Sequence, residues 1–162
     1  MSEDRSERQR ARTGANESDE RSREEPVTDL SEDRSERQRH GFQYVVLRCV
    51  PRVDREEFVN VGVLLYSQSA DYLCAGSKVH ADRLTALAPD LDLDAVRSAL
   101  AAIEAVCCGR ADPAALAGIS LGQRFGWLAA PRSTVVQPGP IHGGLTEDPA
   151  RQLQHLMDTL VG

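Results

Sequence analysis

The sequence predicts an α+β domain, an antiparallel sheet packed by a central and a C-terminal helix, behind a charged N-terminal tail. Three observations predict it. Strand-like runs come first: Phe42–Val50, Glu57–Ser67 and Asp71–Val79, joined by polar connections short enough for antiparallel neighbours. Helical periodicity then takes over through the middle of the chain. Strand texture returns after Gly118, and a last amphipathic stretch closes the chain. Strands, helices, strands and a helix in that order exclude a doubly wound parallel sheet.

The tail, residues 1–39, carries the nonapeptide SEDRSERQR twice, at Ser2–Arg10 and at Ser31–Arg39. It mixes both charge signs and has no aromatic residue, so it cannot bury enough apolar area to offset chain entropy. It reads as disordered, and residues 40–162 read as one domain of ordinary size.

Within that domain, Phe42–Val50 and Glu57–Ser67 are rich in β-branched and aromatic residues, which favour a pleated, half-buried surface. The stretch HADRLTALAP is a short helix stopped by Pro89. The segment after Asp92 is the clearest helix, with Asp92 as cap and Gly109 beyond its end. Leu93, Val96, Leu100, Ile103 and Cys107 recur on one face of it. DPAALAG is a further short helix, with Asp112 as cap and Pro113 in first position. ISLGQRFGWLAA and RSTVVQPGP read as strands, with Trp127 partly buried, and PGPIHGGLTEDP reads as a turn-rich loop. In the closing helix Leu153, Leu156, Met157 and Leu160 face inward, with Asp148 or Thr146 as cap.

Composition removes several function classes. Net charge is −6, which argues against a nucleic-acid or anionic-membrane binder. Aromatic content is 4%, too sparse for the stacking platforms that bind single strands. None of the four cysteines forms a C-x-x-C pair and no histidines stand at ligand spacing, so no metal or cofactor is expected. No apolar run approaches the ~20 residues that cross a bilayer, and no apolar signal region precedes the domain. The chain reads as cytoplasmic, with reduced thiols.

Glu57–Ser67 contains two residues that weaken strands, Asn60 and Gly62. By strict alternation Phe58, Asn60, Gly62, Leu64 and Tyr66 share a face. One register brings Arg48 near Phe58 and Asn60 and lays Tyr44 over Gly62; a slip of one residue sends Arg48 to the other side. Asn60 then either brackets a backbone carbonyl, with Gly62 marking a bulge, or joins Arg48 and Glu57 in a notch suited to a carboxylate or phosphate. A second polar cluster holds Arg124, Trp127, Arg132, Ser133, Thr134 and His142. No catalytic triad order emerges from Ser133, His142 and Asp148, which leaves catalytic residues unassigned.

FQYVVLRCVPRVDREEFVNVGVLLYS and RFGWLAAPRSTVVQPGPIHGGLTEDPARQLQHLMDTLV resemble the two end signatures of the bacterial family called domain of unknown function 3037, over about Phe42 to Val161. Arg48, Pro51, Glu57, Asn60 and Gly62 fall on the first motif; Arg132, Ser133, His142, Asp148 and Pro149 fall on the second. The family has no assigned activity, so the resemblance implies no catalytic role. Its members are often encoded beside a HipA-like protein kinase, which implies a candidate partner. The reading that follows is an accessory binding module, leaning away from an enzyme. Its alternative is an enzyme or binder for a small anionic ligand, phosphorylated or nucleotide-like. Both use the candidate residues Arg48, Glu57, Asn60, Arg132, Ser133 and His142.

Overall fold

The computed structural model describes residues 38–162. The chain before residue 38, read above as disordered and holding the first nonapeptide and all but the last two residues of the second, lies outside the described residues.

Four antiparallel strands form one sheet in the order β3-β2-β1-β4. The strands are β1 (His40–Arg52), β2 (Glu57–Ser67), β3 (Tyr72–Ser77) and β4 (Val136–Thr146). The helices are α1 (Ala81–Leu87), α2 (Leu93–Cys107), α3 (Pro113–Leu116), α4 (Leu121–Ala129) and α5 (Pro149–Leu160). The α+β class and the β1–β3 meander are as the sequence predicts.

Alternation sends the apolar residues of β1 to two separate cores. Val45, Leu47 and Cys49 pack with Val96, Leu100, Phe125 and Leu128 beneath α1, α2 and α4. Phe42 and Tyr44 pack with Leu153, Leu156 and Val161 beneath α5. Both faces of the sheet are therefore covered where helices lie. Polar side chains fix the helix starts: Asp92 accepts from the Asp94 and Ala95 amides, and Asp148 from those of Ala150 and Arg151. Gly109, just past α2, takes the left-handed conformation with φ 66°.

The last third of the domain corrects the sequence reading in three places. ISLGQRFGWLAA is the helix α4, not a strand. Ser120 and Gln123 close a reciprocal capping box at its start, and that local bonding wins over the β-like composition. PGPIHGG is not a loop but part of β4, the only strand after α4 among the described residues. Pro138 and Pro140 are tolerated because β4 lies at the sheet edge, where a missing N–H breaks no inner ladder. Trp127 is 62% exposed and is not part of the core; Phe125, Leu128 and Ala129 supply the buried face of α4.

Candidate functional site

The two residues that weaken β2 mark a slip in the ladder. Leu47 pairs with Gly62 and Arg48 with Asn60, so Val61 is an extra residue on β2. A slip of this kind reverses the alternation beyond it. Val59 and Val61 belong to the core beneath α2 and α4, yet so do Leu64 and Tyr66. Phe58 and Asn60 therefore face α5, and the shared face that strict alternation predicts does not exist.

Gly62 stands beside the slip and admits the close approach of β3. A Cβ there would stand 2.6 Å from the Gly76 carbonyl and 3.2 Å from Leu47 Cδ1. The neighbour over Gly62 is thus Leu47 and not Tyr44, which pairs with Leu65. Asn60 does bracket a carbonyl: its Nδ2 donates to Leu160 O at 3.0 Å and ties down the end of α5.

That bond leaves Asn60 Oδ1 buried without a partner, and it has company. Arg48 Nε and Gln137 Nε2 are also buried and unpartnered. Arg48 pairs with Asn60 on one side and with Gln137 on the other, so the three form one row across β2, β1 and β4. Buried polar atoms are normally bonded, and three orphans in one cross-strand row mark a place where polar groups are held without a protein partner. The Arg48 guanidinium lies 4.3 Å from the centre of the Phe58 ring, a cation–π contact. Gly139 makes room for it: a Cβ there would meet Arg48 Cζ and Nε at 3.1 Å. Arg48, Gln137, Phe58, Pro138, Val50, Val53 and Glu56 line a cavity of about 350 Å³ beside this row. Glu56, not Glu57, is the acid at its rim, exposed and in the left-handed region at φ 56°.

The other candidates lie elsewhere. Glu57 is exposed and pairs with Arg55 at 2.8 Å. Beside it Arg52 and Asp54 form a second exposed pair, and the Arg52 hydrogen bond holds the Asp54 carboxyl below its ordinary range. Arg132 is committed to the C-terminal end of α4, donating from Nη2 to the carbonyls of Trp127 at 2.6 Å and Leu128 at 3.2 Å. Those carbonyls have no partner within the helix, and a guanidinium is well suited to bind them. Ser133 is exposed in the α4–β4 connection. His142 stacks on Tyr44, ring centres 5.1 Å apart, on the α5 face. Tyr44 and Arg48 are separated along β1 by roughly 13 Å at the usual strand rise. Arg48 and Asn60 come together, Arg132 sits at α4 on the opposite face of the sheet, and His142 lies farther along. Gln137 completes the row and escaped sequence reading, since only the β1–β4 register places it there.

Among the described residues no three His, Cys, Asp or Glu side chains gather as metal ligands. All four cysteines are free; burial pushes the Cys49 thiol up, and that of Cys107 up to about 12. None of these thiols lines the Arg48 cavity.

A family model described as Protein of unknown function (DUF3037) matches residues 44–161, from within β1 to the end of the domain. The chain belongs to this family. The match spans β2, β4 and α5 together, so all three residues of the polar row fall within the DUF3037 segment. No curated protein and no solved structure matches the chain. Among the described residues no helix is long and apolar enough to cross a membrane.

Proposed function

We propose that this DUF3037 chain is an accessory binding module whose working part is the Arg48 cavity. The supporting observation is the row Asn60–Arg48–Gln137, with three buried polar atoms left unpartnered. Leaving such atoms unpaired costs about 1–3 kcal/mol each. Arg48 and Gln137 both line the cavity, and a guanidinium beside an amide suits the oxygens of a carboxylate or phosphate. Phe58, 47% exposed beside them, offers an apolar anchor. The four free cysteines suit a cytoplasmic setting.

The finer reading is that the anionic group is presented by a protein partner, the HipA-like kinase of the sequence analysis. Co-expression tests it: the kinase co-purifies with the wild-type chain and not with Arg48→Met. A kinase that elutes alone, or that both forms retain equally, refutes this partner. The cavity volume supports the alternative reading, a small phosphorylated or nucleotide-like ligand, since it falls in the range of small-molecule sites.

A further inference from the structure

The two edges of the sheet are finished differently. β3 is flanked on both faces, by α2 through Leu73 and Ala75 and by α5 through Cys74 and Gly76. β4 has no strand beyond it among the described residues, and Pro140 to Leu145 are exposed without a break. An open edge is a template for another strand, and proteins normally protect it with charges, prolines or a bulge. In β4 the protection covers only the first half. Pro138, Pro140 and a ladder slip between Leu47 and Val45 lie there. The second half, Ile141 to Thr146, has no Asp, Glu, Lys or Arg, in a chain whose net charge is −6.

That half is also self-complementary. Ile141 pairs with Val45 and Leu145 with Gly41, so both point to the face that holds α4. They are 53% and 66% exposed. Between them Gly143 has no side chain to obstruct a neighbour. In an antiparallel pair related by a two-fold axis perpendicular to the sheet, opposed residues must share a face, which permits only every second register. Centring the axis on Gly143 sets Ile141 opposite Leu145 of the other copy, twice. It also sets His142 opposite Gly144, whose missing side chain the Phe42 ring covers, and leaves Pro140 at the end of the overlap. Centring it one residue earlier or later puts each apolar side chain opposite Gly139 or Gly143, or beyond the strand. Only the Gly143 register covers both side chains.

We propose that the outer edge of β4 joins a second copy of this chain, antiparallel about Gly143, extending the four-stranded sheet across the dimer. The interface is isologous and closed, as a two-fold pair requires. It lies apart from the Arg48 cavity and stands independently of the function proposed above.

Sedimentation of the full chain tests it with two double variants. The wild type sediments at twice its 17.7 kDa mass. Ile141→Lys with Leu145→Lys sets like charges opposite each other and returns the mass to that of one chain, with unchanged far-UV circular dichroism. Ile141→Lys with Leu145→Glu sets opposite charges together and recovers a larger dimer fraction than the lysine pair. A wild type that stays at one-chain mass throughout the micromolar range overturns the proposal. So does a lysine pair that remains dimeric, or a Lys/Glu variant no more dimeric than the lysine pair.

Discussion

Arg48 and Asn60 stand directly opposite each other on β1 and β2, one step past the point where the ladder gains an extra residue. Without that step Arg48 would oppose Val61, and the Asn60 amide would face the core beneath α2 instead of the end of α5. One skipped pairing thus decides whether a guanidinium and an amide meet.

Gly62 lies next to that step, where β3 comes close. Gly62→Ala drives a methyl to 2.6 Å from the Gly76 carbonyl, and backbone on a neighbouring strand cannot step aside as a side chain can. The expected loss is about 1–3 kcal/mol, the usual cost of overpacking. Urea unfolding checks it, as a lower midpoint with an unchanged slope.

Arg132 serves the fold. Arg132→Ala leaves the last carbonyls of α4 without their guanidinium and costs about 1–3 kcal/mol, as for a hydrogen bond to a charged group. Any anion bound at Arg48 stays bound in this variant. Thermal unfolding and a ligand titration on the same sample separate the two effects.

Cys107 makes stability fall in alkali. Its thiol, buried against α2's neighbours, titrates at about 12, above the ordinary thiol value of 9.0. Between those values the unfolded chain has released the proton and the folded chain keeps it, so rising pH favours unfolding. The stability is fully present below about 9 and is lost as pH climbs toward about 12. Cys107→Ala flattens that slope by up to about 1.4 kcal/mol per pH unit. Denaturant midpoints measured across this pH range check it.

Much of the fold is legible in the sequence because its signals are local. The β1–β3 runs, the buried stripe of α2 and the caps Asp92, Asp112 and Asp148 each depend on a few adjacent residues. α4 is misread because Ile119, Phe125, Trp127 and Leu128 suggest a strand, although Ser120 and Gln123 at capping-box spacing point to a helix. β4 is hidden by its prolines, which an edge strand accepts. The site is only half legible. Asn60 and Gly62 stand out as misfits in β2, but which face Arg48 takes depends on register. Gln137 carries no local signal and joins the row through long-range pairing.

The most direct test observes the Arg48 Nε–H resonance while the full chain is titrated with acetate and, separately, with inorganic phosphate. With an anion site at Arg48, this resonance and the Gln137 side-chain amide shift together and saturate. Arg48→Met abolishes the Gln137 shift and leaves thermal stability within about 1 kcal/mol of wild type, because a buried unpaired donor has been removed along with the ring contact. An Arg48 resonance that stays still, or that moves no more than those of exposed arginines such as Arg97, contradicts such a site.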